Sequence, residues 1–197
     1  AVRYNFRGVG ASAGTHDEGR GEADDLLQVI AQVAPEGPLA LAGFSFGAFV
    51  TSHGAARLQP DRLPEQLVLV GTAAEWTKEA VEFARDAERV GADGIMVVPP
   101  YYSSPTPDEL FVHYKAIGEA ISIPIMVYNN PFTANVDLTP EIVARLAQID
   151  NVRYIKESSG DVTRVTKIRW ACGDKMTVFA GYTPWESYRC GALGYVS

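Results

Sequence analysis

Two side chains and one turn in this sequence have the type and placement that chemistry requires. Lys156 stands at the end of an apolar, strand-like run, Val152-Arg153-Tyr154-Ile155-Lys156. Alternation along a strand puts Val152, Tyr154 and Lys156 on one face and Ile155 on the other. A lysine directed into a packed interior tends to lose its proton, and the neutral amine is the form that attacks a carbonyl to make an imine. Tyr128 ends the preceding apolar run, Ile123-Pro124-Ile125-Met126-Val127-Tyr128, and is a candidate proton donor and acceptor. The turn is Gly43-Phe44-Ser45-Phe46-Gly47, a G-x-S-x-G between an apolar run and a helical pattern, the context of a nucleophile elbow. A serine needs a base, normally a histidine oriented by a carboxylate. The histidines are His16, which precedes the serine, His53, two turns into the following helix and pointing away, and His113, far along the chain. On that basis Ser45 reads as a turn without a working triad.

The elements that position these residues alternate. Strand candidates are Val2–Phe6, Leu39–Gly43, Gln66–Val70, Gly94–Val98, Ile123–Tyr128, Val152–Lys156, Met176–Ala180 and Gly194–Val196. Helix candidates between them are Glu22–Val33, Ala48–Leu58, Lys78–Val90, Pro107–Ala120, Pro140–Ala147, Val162–Ala171 and Pro184–Cys190. In the third helix Ala80, Phe83, Ala84, Ala87 and Val90 share a face, with Thr77 as the expected N-cap. Thr139-Pro140-Glu141 opens the fifth with a cap and a first-turn proline. Eight strands and seven helices in alternation predict an α/β fold with a parallel sheet, barrel or doubly wound.

With 197 residues and a net charge of −7, the chain can bury a sizeable core and would be repelled by nucleic acid and anionic membranes. No apolar run approaches the length of a membrane span. With no charged-then-apolar leader and only Cys172 and Cys190 as thiols, the expected location is cytoplasmic. No cluster of ligand spacing calls for a metal, and no cofactor is expected. Ala1 in place of an initiator Met and a strand-like ending make the chain read as either a fragment or a chain whose ends were not seen.

Two resemblances sharpen this. Val97-Val98-Pro99-Pro100-Tyr101-Tyr102, Tyr128-Asn129-Asn130-Pro131 and Ile155-Lys156-Glu157-Ser158-Ser159-Gly160-Asp161 stand in the order and spacing of the Schiff-base-forming dihydrodipicolinate synthase / N-acetylneuraminate lyase family. The resemblance runs from about residue 71 to residue 197. Upstream, Asn5-Phe6-Arg7-Gly8-Val9-Gly10-Ala11-Ser12 and the Ser45 elbow resemble a small α/β-hydrolase over about residues 1–73. The chain thus looks like a chimera, with a hydrolase-like fragment over 1–73 and a lyase-like barrel fragment over 74–197.

What the lyase resemblance implies is a (β/α)8, TIM-barrel-like fold; here its first strands would be supplied by the hydrolase-like segment, leaving the barrel either closed or incomplete. Lys156 would form the imine with a 2-oxo acid such as pyruvate, and Tyr128 would relay protons. Tyr102 would reach the site of a neighbouring copy in a homo-oligomer. Gly181 and Val196 would line the pocket. Thr133 stands where the synthase branch carries a carboxylate-binding Arg, which points away from dihydrodipicolinate synthesis itself and toward other 2-oxo acids. The family's Gly-Thr-Thr-Gly-Glu is absent, and Gly71-Thr72-Ala73-Ala74-Glu75 aligns better with the third strand. In a closed barrel Ser45 would stand near the place of those missing threonines. Two readings compete with the lyase: a serine hydrolase using Ser45, and an inactive chimera or truncated protein.

Overall fold

A computed structural model describes residues 2–44, 46–58, 62–70 and 76–196. Among them the elements run α1 (Arg20–Val33), β1 (Ala40–Phe44), α2 (Phe46–Leu58), β2 (Gln66–Val70), α3 (Thr77–Arg89), β3 (Ile95–Val97), α4 (Pro107–Ala120), β4 (Ile125–Asn129), α5 (Pro131–Ala134), α6 (Pro140–Leu146), β5 (Val152–Glu157), α7 (Thr163–Cys172), β6 (Thr177–Ala180), α8 (Pro184–Arg189) and β7 (Gly194–Tyr195). Every strand pairs in parallel with its neighbour in sequence, in the order β1-β2-β3-β4-β5-β6-β7. A doubly wound sheet reverses its order at a switch point. This one does not, so it is wound as a barrel wall. Among the described residues it has seven strands and stays open between β7 and β1.

The expected first strand, Val2–Phe6, does not form. Residues 2–6 carry no ladder. Their apolar side chains are used another way, with Phe6 edge-on to Phe46 at 5.4 Å and Tyr4 edge-on to Phe6 at 5.8 Å. A groove of about 600 Å³ separates this segment from the outer edge of β1.

Local chemistry explains the helix starts. Thr106 and Glu109 cap α4 reciprocally, Thr106 N–H donating to Glu109 Oε2 at 2.7 Å and Glu109 N–H to Thr106 Oγ1 at 3.3 Å. Thr139 caps α6 as expected, accepting from Ile142 N–H at 3.5 Å. Thr77 does not cap α3. The N-cap is Trp76, and the Thr77 hydroxyl lies 2.9 Å from His113 Nδ1 instead. The apolar face of α3 is buried through Ala80, Ala84, Ala87 and Val90, while Phe83 remains 39% exposed.

The strand faces divide the sheet. Ile125, Val127, Ile155, Val178 and Ala180 are fully buried or nearly so, beneath the helices. Met126 and Tyr128 on β4 alternate with them on the other, inner face, as do Tyr154 and Phe179, whose rings meet edge-on at 6.0 Å. A register shift at Ile125/Met126 makes Arg153 the extra residue of a bulge, since Ile125 pairs with Val152 and Met126 with Tyr154. Simple alternation therefore fails at one position: Val152 falls with Ile125 on the helix side, not with Tyr154 and Lys156. No helix among the described residues is long and apolar enough to cross a membrane.

Candidate active site

β4 and β5 bring Tyr128 and Lys156 side by side as register partners at their C-terminal ends. Both point to the inner face. Lys156 is 7% exposed, and its Nζ stands 4.2 Å from the centroid of the Tyr128 ring. A buried amine over an aromatic face has an electrostatic partner without a carboxylate beside it. Among the described residues no ion pair ties up this lysine, so a substrate would have none to break there.

The opposite face of the same strand ends is a closed polar network. Asn129, fully buried, accepts from Leu138 N–H at 2.9 Å and donates through Nδ2 to Glu157 Oε2 at 3.0 Å. Glu157 Oε1 accepts from Ser159 N–H at 2.6 Å. Arg164 grips Asp137 with both terminal nitrogens, at 2.5 and 2.6 Å, and this bond to Asp137 raises the guanidinium pKa. The network joins the loops after β4 and β5 beneath Tyr128 and Lys156, so the pair rests on a braced floor.

Three residues at the rim were not anticipated as site residues. Asn130 donates from Nδ2 to the Tyr128 hydroxyl oxygen at 3.1 Å, while its Oδ1 is buried without a hydrogen-bond partner. Ser158, two residues beyond Lys156 and on the same face, is buried with its Oγ also unpartnered. Glu157 stands in the network just described. Strand alternation extended one step past each apolar run, to 130 and 158, is the signal that could have found the first two.

The anticipated residues divide. Gly181 directly follows β6, its N–H donating to Glu157 O at 2.8 Å. A Cβ there would collide with Ser158 Oγ, so only glycine lets the two strand ends meet. Val196, half-buried, follows β7 and donates its N–H to Ala180 O at 2.9 Å, beside Gly181. Thr133 is exposed on α5, its N–H donating to Asn130 O at 3.1 Å. Tyr102 stands 90% exposed on the segment after β3, outside the buried pair. Ser45 and Gly71–Glu75 lie outside the described residues.

His16, which precedes Ser45 in the chain, lies beside the elbow helix α2. Its Nδ1 lies 3.0 Å from Oε1 of Glu22, a fully buried carboxylate, and its ring lies 5.1 Å from that of Phe46. Glu22 is pushed up by burial. The backbone N–H groups of Asp17, Glu22 and Gly19, together with His16, outweigh that and hold it below the ordinary carboxylate range. His53 instead packs on Phe49, ring centroids 4.3 Å apart. No group of three or more metal-ligating side chains occurs among the described residues.

Comparison with known proteins agrees with both halves of the sequence reading. A thioesterase domain family matches residues 21–91. The 4-hydroxy-tetrahydrodipicolinate synthase of Geotalea uraniireducens (strain Rf4) is 43% identical over 132 residues, covering 66% of this chain and 46% of that protein. The enzyme of the same name from Nitrosococcus oceani is 47% identical over 120 residues, covering 61% and 40%. The chain thus spans about half the length of these curated relatives. Among solved structures, the dihydrodipicolinate synthase from Acinetobacter baumannii, complexed with pyruvate, superposes with a TM-score of 0.71 at 32% identity, covering 89% of this chain and 63% of that one. These likenesses give the fold as TIM-barrel-type α/β. The dihydrodipicolinate synthetase family itself matches residues 64–197, well over half the chain, and the protein belongs to that family.

Proposed function

We propose that the chain is a Schiff-base-forming lyase that binds pyruvate or a related 2-oxo acid through Lys156. The observation that carries this reading is the buried Lys156 amine 4.2 Å over the Tyr128 ring at the strand ends, the end of a barrel wall where such folds do their chemistry. The neutral amine attacks the C2 carbonyl. Tyr128 delivers its proton to the developing alkoxide and recovers one from nitrogen, giving the carbinolamine. A second such exchange lets the hydroxyl leave as water and leaves the C=N bond, so amine and carbonyl become imine and water. Gly181 and the Val196 backbone line the pocket, and Tyr102, exposed on the segment after β3, serves the site of a second copy. Thr133 in place of the arginine that would hold a second substrate's carboxylate argues against dihydrodipicolinate synthesis as the overall reaction, not against pyruvate binding at Lys156.

The hydrolase-like segment supplies β1, α2 and β2 of the sheet in this reading. In support, the superposition on the Acinetobacter enzyme covers a larger share of the chain than residues 64–197 make up. The test is intact-mass analysis after borohydride reduction with pyruvate. An adduct on the parent and none on Lys156→Ala is the expected result. A folded parent without adduct overturns it.

A second reading, ester or thioester hydrolysis at Ser45, has two observations in its favour: the thioesterase match across the elbow and the His16–Glu22 pair packed on Phe46. Fluorophosphonate labelling of the parent that is lost in both Ser45→Ala and His16→Ala supports it, and an unlabelled parent rejects it.

A further inference from the structure

We propose that Asn130 is a positioning residue that sets the orientation of the Tyr128 phenol. The inference rests on the lyase reading above and concerns a residue that the reading leaves without a task. Tyr128 faces inward near the end of β4, and Asn130, the first residue beyond that strand, reaches back to it. Asn130 Nδ2 donates to the phenol oxygen at 3.1 Å, the one side-chain hydrogen bond of this amide among the described residues. Its other end, Oδ1, is buried with no partner. A buried acceptor left unpaired is unfavourable, so fold stability alone does not account for an amide in this pose. The contact with the phenol does.

The base of the amide is rigid. Pro131 disfavours helical backbone at Asn130, which sits at φ −140°, ψ 80°. Its carbonyl accepts from Thr133 and Ala134 N–H at 3.1 and 2.9 Å, closing the single turn of α5. The amide thus reaches the phenol from a fixed point. A phenol oxygen has one proton and two lone pairs. With one lone pair taken by Nδ2, the proton turns away from Asn130 and is left for Lys156 and its adduct. The network through Asn129 lies on the opposite face of the strand and does not duplicate this contact.

The test uses the full chain, with pyruvate as probe and two variants. Asn130→Val removes the donor with a β-branched side chain that also favours non-helical backbone; Asn130→Gln retains the donor. Two readouts are taken: the rate of borohydride-trapped adduct formation across pyruvate concentrations, and the Cζ resonance of Tyr128 in 13C-tyrosine-labelled protein without pyruvate, assigned by Tyr128→Phe. Asn130→Val is expected to slow trapping about tenfold at saturating pyruvate, the loss of one hydrogen bond, with little change in the half-saturating concentration. It is also expected to displace the Tyr128 resonance, and Asn130→Gln to restore most of both. A valine variant that traps like the parent, an unmoved resonance, or a glutamine variant as slow as valine overturns the proposal. If the parent forms no adduct, the lysine reading falls, while the resonance, read without pyruvate, still decides the Asn130 contact.

Discussion

Lys156 and Tyr128 are register partners on adjacent parallel strands, and the amine of one rests 4.2 Å from the ring centroid of the other. The pairing follows from backbone hydrogen bonding, so it is as rigid as the sheet. Tyr128→Phe keeps the ring face under the amine and removes only the proton carrier. Trapping with pyruvate should therefore slow by about a hundredfold or more, the range for a lost general acid–base, while the protein melts as the parent does. An unchanged trapping rate would remove Tyr128 from the mechanism.

Gly181 allows β5 and β6 to end against each other. Gly181→Ala places a methyl into Ser158 Oγ, with Glu157 O at 3.1 Å behind it. Overpacking of this kind costs about 1–3 kcal/mol, read as a lower urea midpoint. Ser158→Gly in the same chain should recover most of the loss, and failure to do so would place the strain elsewhere.

Asn129 ties Leu138 N–H to the Glu157 carboxylate. Asn129→Ala leaves a buried N–H and one oxygen of a buried carboxylate without those partners, and should lower stability by about 2–4 kcal/mol. Adduct formation should fall as well, because the floor beneath Lys156 loosens. Denaturant titration and trapping of the same sample read both.

Glu22 is held below the ordinary carboxylate range in the folded chain. A depressed carboxyl contributes stability that is fully present above its unfolded pKa, about 4.3, and is lost as pH falls through the lower folded value. The difference in denaturation midpoint between parent and Glu22→Gln should therefore be full at pH 7 and shrink below about pH 4. A difference that stays constant or grows in acid would contradict this assignment.

Much of this protein was decided within the sequence. Alternating apolar runs and helical periods predict a parallel α/β sheet, because a strand covered on both faces must be apolar throughout. Gln66–Val70 and Pro107–Ala120 are found with the expected bounds, and Thr139 caps its helix because hydroxyl, proline and acid are all local signals. Lys156 and Tyr128 were legible as candidates for the same reason, each standing at the end of an apolar run.

What only the tertiary structure decided depends on contacts that spacing along the chain does not predict. Val2–Phe6 has the alternation of a strand, but Tyr4 and Phe6 pack ring on ring and form no ladder among the described residues. The bulge at Arg153 turns Val152 to the helix side because β5 must meet β4 in register, which no property of β5 alone reveals. Asn130 and Ser158 acquire meaning only where Tyr128 and Gly181 stand against them. His16 and Glu22 are likewise six residues apart in sequence, and only the turn that buries Glu22 beneath Asp17 and Gly19 makes them a pair.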